Sequence, residues 1–430
     1  MPHQIPPTPW SISTPKALAL IAACLIFSHP VMAQTPLIFK ELLSQANASY
    51  PALQAARLEK RAALEELEAS RRLYWPTISA VAESASNKAT TTSPNRALQV
   101  EQTLWDAGNI KSRIAESQSI TDIQALKAAL LQEEVYLQLA NAWQNMLASK
   151  ERMDVAQQTI TRLQGYQQQM QRRVKIEASP RIDLELANSR ILQTQVEYTA
   201  AQNSLRQALT RMEQYTGRRD LPTVVASKTT SSAVAPSPNF SATLHNTDWQ
   251  AVVDQHPTIA KAKAESVQSQ NRLDQKKSEA WPQLYARINQ PLSQPAPGYT
   301  TGPTAFVGLR YSTSAGFANQ LQAQALATRV VSAQELINAA ATDLRQTLQV
   351  DQDEYLNAQS RIESLEKSVQ GSDLVLVSYQ RQFQAGKKSW QDLLNAVREL
   401  AQNQYALADA RASLQGAMYR LQIRTGQDVQ

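Results

Sequence analysis

"FQAGKKSWQDLLNAVRELAQNQYALADARASLQGAMYRLQIRTG", residues Phe383–Gly426, decides the fold. Leu393, Leu400, Leu407, Leu414 and Leu421 stand seven apart in it. A seven-residue apolar repeat keeps one seam turned toward a partner helix and imposes a left-handed supercoil, so the stretch predicts a long coiled-coil helix. A break precedes it at Gln384–Ser389. There Gly386 supplies the left-handed backbone angle that ends one helix. Ser389 is placed to cap the next, and Asp392 falls at its third position, where a carboxylate suits the helix dipole. Thr425-Gly426 closes the stretch as a C-cap.

The same frame recurs upstream. Leu184, Ile191, Tyr198, Leu205 and Met212 repeat the seam 209 positions earlier, Asp183 matches Asp392, and Gly217 matches Gly426. Pro51 and Pro257, and the pairs Trp75-Pro76 and Trp281-Pro282, are 206 apart. Landmarks at a nearly constant offset mean a duplicated unit. Each copy predicts a helix ended by Trp-Pro, two strand-like segments, a very long helix, a break and a final helix. The long helix before Gly386 has its own seam in Leu348, Tyr355, Ile362, Val369 and Leu376. In the first copy the uninterrupted run from Gly108 to Ile176 predicts a rod of roughly 100 Å.

The domain reading follows: a leader at 1–33, a first repeat at 34–217, a linker at 218–246, a second repeat at 247–426 and a tail at 427–430. In the leader, Lys16 is the charged start, Ala17–Phe27 the apolar run and Val31-Met32-Ala33 a small-residue cleavage site. Ile21-Ala22-Ala23-Cys24 also fits a lipoprotein box, the alternative in which Cys24 is lipidated. Cleavage after Ala33 removes the only cysteine, so the mature chain has no disulfide or thiol chemistry. No later apolar run is long enough for a membrane helix, so a membrane part must be built from strands.

The strand segments are predicted at 76–87 and 96–105 in the first repeat, and at 283–292 and 304–313 in the second. Val307, Leu309 and Tyr311 alternate with Gly308 and Arg310, and Leu98, Val100 and Leu104 with Gln99, Glu101 and Thr103. About ten residues with one apolar and one polar face is the length and pattern of a tilted outer-membrane strand. A four-stranded sheet in lipid leaves unpaired backbone at both edges, each group costing several kcal/mol by order of magnitude, so it must close with copies of itself. Two chains would close eight strands, three chains twelve.

This helix–hairpin–helix plan, and the quoted stretch with its Gly386, Ser389, Asp392 and Leu-Leu-Asn-Ala step, resemble the TolC-type outer-membrane factor family from about Leu37 to Gly426. The resemblance implies a mainly α fold with a small β-barrel part. It implies a homotrimer in which a twelve-stranded barrel in the outer-membrane lipid continues as a twelve-helix periplasmic tunnel. The implied partners are a periplasmic adaptor and an inner-membrane transporter of the ABC or RND kind. Carried over position by position, it gives an adaptor-docking tip at Gly386, Lys387 and Ser389, with Ser179 and Pro180 in the first copy, where Glu177 replaces the glycine. It gives a gate or lumen ring of Asp183, Phe383, Lys388, Asp392 and Asn395, with a Lys388–Asp183 link holding the gate. Phe383 stands where the family has a tyrosine, and Asn395 where a second aspartate can occur. "PTAFVGLRYSTSAGFANQ" resembles the branch serving type I adhesin secretion. Small-molecule efflux is the alternative cargo, and a non-pore periplasmic scaffold or adaptor the alternative function.

Other chemistry is poorly represented. His245 and His256 are the only histidines beyond the leader and lack metal-ligand spacing. "AGKKS" lacks the upstream glycine and the strand of a phosphate loop. The reading therefore names no catalytic residue, metal or cofactor. The net charge of +6 comes from lysines and arginines interspersed with acids, the pattern of solvated helix faces and not of a nucleic-acid surface.

Overall fold

The computed structural model describes residues 39–83, 95–222, 240, 244, 247–292, 302–312 and 318–427. The leader, both hairpin ends away from the helices, most of the linker and residues 428–430 lie outside the described residues.

Helices α1 (Phe39–Ser49) and α2 (Pro51–Arg71) open the described chain. Strands β1 (Thr77–Glu83) and β2 (Asn95–Trp105) follow, then α3 (Asn109–Lys175) and α4 (Arg181–Thr216). The second half carries α5 (Trp249–Gln255), α6 (Pro257–Ser278), β3 (Gln283–Pro291), β4 (Thr304–Arg310), α7 (Ala318–Gln384) and α8 (Trp390–Thr425). The duplication is carried through to the helix ends. α3 and α7 are both 67 residues long, and α4 and α8 both 36. A rise of 1.5 Å per residue makes the long pair rods of roughly 100 Å.

The final helices differ in how much they bury. α8 lies between α3 and α7, whereas α4 packs mainly along α3, with small contacts to α1 and α8. All five heptad leucines of α8 are buried, among 20 buried residues along that helix. α4 buries eight, with only Ile191 and Met212 of its heptad seam among them. The helices thus form a row, α4–α3–α8–α7, whose two end helices keep exposed apolar side chains. These include Ile182, Leu192 and Val196 on α4, and Leu336, Val350, Leu374 and Val375 on α7. Toward the sheet the row becomes α2–α3–α6–α7.

Midway, α1 seats Phe39 on Tyr419 of α8, with ring centroids 4.2 Å apart, and against Trp143 of α3. Burial pushes the Tyr419 hydroxyl pKa up to about 12. Leu221, Phe240 and Leu244 join the same core, so the segment expected as a linker contributes packed side chains at these points. A polar network crosses beside it. Arg420 reaches Asp351 at 2.9 Å, Glu354 at 2.7 Å and Gln144 at 2.8 Å, while Arg424 Nε lies 2.9 Å from the second Asp351 oxygen.

The four strands form one antiparallel sheet in the order β1-β2-β3-β4, so β1 and β4 are its edges. The register puts Ile78 opposite Val100, Val100 opposite Ile288, and Leu284 opposite Leu309, on one apolar face. Glu101, Arg287, Tyr285 and Arg310 share the other face, with Val81, Ala97 and Phe306 as apolar residues on it.

Candidate functional site

Among the described residues, the candidate places are the turns at the far ends of the long helices and the polar face of the sheet.

The turns share one backbone. Ala178 N donates to Arg173 O at 2.8 Å, and Lys387 N donates to Gln382 O at 2.8 Å. Glu177 N donates to Val174 O and Gly386 N to Phe383 O, both at 3.1 Å. This is the closing pattern of a helix that ends on a left-handed residue. Gly386 takes φ 72° and Glu177 takes φ 58°, so the glycine's replacement keeps the turn and bears its strain.

The caps differ. Ser389 Oγ accepts from Asp392 N at 3.1 Å, and Asp392 Oδ2 accepts from Ser389 N at 3.2 Å and from the Ser389 hydroxyl at 2.8 Å. These hydrogen bonds hold the Asp392 carboxyl below its ordinary range. Pro180 caps α4 with no side-chain bond; Asp183 N donates to its carbonyl at 3.2 Å.

Within the single chain the gate residues take other partners. Lys388 Nζ lies 4.0 Å from Asp392 and 4.4 Å above the Tyr379 ring, so no Lys388–Asp183 pair forms within the chain. Asp183 instead offers its main-chain carbonyl to Trp390 Nε1 at 2.9 Å. Phe383 is half-buried, 5.3 Å from the Trp390 ring, with the Arg173 guanidinium 5.0 Å above it. Asp392 is half-exposed and Asn395 exposed, as are Gly386, Lys387, Ser389 and Pro180, with Ser179 half-exposed. Trp390 is the residue that sequence reasoning passed over. It is buried between Tyr166 and Phe383 and ties the two turns together. Its signal was a large aromatic at the first helical position, just after the capping serine.

On the sheet, Glu101 of β2 takes Arg287 of β3 at 2.6 Å and Arg310 of β4 at 3.0 Å. Tyr285 lies beneath both guanidiniums, 5.2 Å and 4.8 Å from the ring centroid. A Cβ on Gly308 would come within 2.6 Å of that ring, so only glycine leaves the space the ring occupies. Glu101 and Arg310 stood at polar positions in the sequence alternation, but their meeting with Arg287 depends on register across three strands. Aromatic side chains stand at the helix-side end of all four strands. Trp75 precedes β1, Trp105 ends β2, Trp281 precedes β3 and Tyr311 follows β4, and all four are exposed. Such rings are the usual flank of an apolar membrane band.

Residues 42–218 match the family model described as outer membrane efflux protein. Comparison with curated proteins finds no match. Among solved structures, the outer membrane protein VceC from Vibrio cholerae superposes with a TM-score of 0.77 at 13% identity, over 90% of this chain and 96% of that one. The CusC transmembrane channel gives 0.76 at 14% identity, over 91% and 92%. The open state of the MtrE outer membrane channel from Neisseria gonorrhoeae gives 0.71 at 15% identity, over 90% and 89%.

Proposed function

We propose that this chain, an outer membrane efflux protein by the family match of its first repeat and TolC-type in fold throughout, is the exit duct of a tripartite export machine. It is a channel protein and not an enzyme, and it resides in the outer membrane with its helices extending into the periplasm. The observation that carries the duct is the sheet. One face is apolar, the other bears Glu101, Arg287 and Arg310, and both edge strands are unpaired within the chain. Three copies joining β4 of one to β1 of the next would close twelve strands around the polar face, with lipid on the apolar face. The edge helices α4 and α7, with their uncovered apolar residues, would close a tunnel in the same operation. Native mass measurement of the detergent-purified protein, and single-channel conductance in planar bilayers, test this. A three-copy particle that conducts ions is expected; a monomer that stays in solution without detergent would favour the scaffold reading instead.

The turns are assigned to the far end of the tunnel. Gly386, Lys387 and Ser389, with Ser179 and Pro180, form the surface for a periplasmic adaptor, which links the duct to an inner-membrane ABC or RND transporter. Asp183, Phe383, Lys388, Asp392 and Asn395 form the gate, with Asp392 the charged member of the lumen ring and Asn395 a neutral one. A Lys388–Asp183 link between neighbouring helices of the assembled tip is a modest restraint worth about 0–1 kcal/mol, as a partly exposed pair is; within the chain Lys388 lies 4.0 Å from Asp392 and 4.4 Å above the Tyr379 ring. Lys388→Glu should raise the conductance of the purified pore, and unchanged conductance removes Lys388 from the gate.

For cargo, the resemblance of Pro303–Gln320 to the adhesin-secretion branch supports type I protein secretion. The family description supports small-molecule efflux as the second reading. A deletion strain that loses a surface adhesin and keeps its drug tolerance selects the first; the reverse selects the second.

A further inference from the structure

The duplication lets the junction between neighbouring copies be read from the junction inside one chain. α3 and α7 begin and end at an offset of 209, as do α4 and α8. In a ring built from such chains, α7 of one copy meets α4 of the next in the place where α3 meets α8 within a copy. This rests on the ring reading above.

Within the chain, Gly416 and Arg420 of α8 grip Gln144 of α3. Arg420 Nη1 lies 2.8 Å from Gln144 Oε1, and Gly416 is so close that a Cβ there would fall 2.9 Å from the Gln144 Cβ. Moved by 209, Gln144 becomes Asp353 on α7, Gly416 becomes Gln207 on α4, and Arg420 becomes Arg211 on α4. Asp353 and Arg211 are both exposed, and neither has a charge partner among the described residues. The neutral acceptor inside the chain is thus replaced by a carboxylate. It faces a guanidinium and, one helical turn away, an amide donor.

The exposed apolar residues follow the same map. Val350 corresponds to Asn141, which faces α8 through Arg420 at 3.3 Å. Val375 corresponds to Tyr166, which packs on Trp390 of α8. Leu192 on α4 corresponds to Ala401, which shares a cavity wall with Leu163 of α3. Side chains that would otherwise lie uncovered in water therefore fall where a partner helix is due.

We infer that a second copy of this chain docks its α4 on α7, with Asp353 of one copy held by Arg211 and Gln207 of the next, and that this charged grip sets the register between copies. Two measurements test it. Cys24 is the only native cysteine, so Gln207→Cys with Asp353→Cys in a Cys24→Ser background should, on oxidation, give covalently linked three-copy species in SDS. Either cysteine alone should not. Arg211→Glu should raise the dissociation constant of the assembly about 10-fold, and Arg211→Glu with Asp353→Arg should recover most of that loss. A three-copy particle that neither cross-links at this pair nor responds to the charge change overturns the pairing and leaves the ring standing. A native mass with no three-copy particle overturns both.

Discussion

Glu177 and Gly386 occupy the same point of two superimposable turns, and only one of them suits it. A left-handed backbone disfavours a side chain by about 1 kcal/mol or more, and glycine escapes that penalty. Glu177→Gly should therefore stabilise the first turn by about 1 kcal/mol, and Gly386→Ala should destabilise the second by a similar amount. Hydrogen exchange at residues 174–180 and 383–389 would resolve the two effects. Asp392 supplies a pH dependence at the same scale. Its native carboxyl titrates lower than in an unfolded chain, because Ser389 donates to the charged form. The stabilisation is complete above the unfolded value, near pH 4, and is lost as the pH falls through the lowered native one. Acid titration should show this limb in the wild-type protein and not in Asp392→Asn. Gly386, Ser389 and Asp392 were legible in the sequence because a cap is a local motif. The packing of Trp390 and the neighbours Lys388 takes within the chain were not, because they depend on how the helices fold against one another.

At the scale of elements, the two repeats began as copies and diverged by position. α8 lies inside the protomer and α4 at its edge, so the same heptad seam is buried in one and partly open in the other. The divergence includes charge. Arg420 and Arg424 both converge on Asp351, which is 6% exposed. At the matching places the first repeat has Arg211, Tyr215 and Ala142, and builds no such network. Removing Arg420 would strand the buried Asp351 carboxylate with Arg424 as its remaining charged partner. Arg420→Met should therefore cost about 3–5 kcal/mol, measurable as a lowered unfolding midpoint in denaturant. Arg420→Met with Asp351→Leu should recover only part of that loss: it removes the stranded buried carboxylate but takes Asp351 from Arg424 and Arg420 from Glu354. The heptads foretold the helices and their lengths, but the choice of which copy became interior required the packing itself.

Across the whole molecule, alternation alone gives the sheet an apolar and a polar face, the faces that the proposed duct turns to lipid and to lumen. Val307→Arg puts a charge on the apolar face and should weaken membrane insertion by about 2–4 kcal/mol at mid-depth. Gln99→Arg, on the face that carries Glu101, should be tolerated and leave assembly intact. Folding into bilayers under urea, compared for the two variants, checks the assignment of faces. A reversed outcome would turn the sheet inside out and with it the duct. The alternation that marks the faces was visible in Leu98, Val100, Val307 and Leu309. The cluster of Glu101, Arg287, Arg310 and Tyr285 was hidden, since it joins residues from three strands whose register no single stretch reveals.

The sequence by itself determined the repeat, the helix lengths, the caps and the two-faced strands. Each depends on spacing along one chain, and spacing is all that hydrophobic periodicity and backbone sterics require. The tertiary structure alone decided the rest. It set the row of helices, the burial of one copy's seam and the openness of the other's, the plug around Trp390 and the ion pairs across the sheet. Those features depend on groups distant in sequence arriving at a few ångströms, and only packing sets that distance.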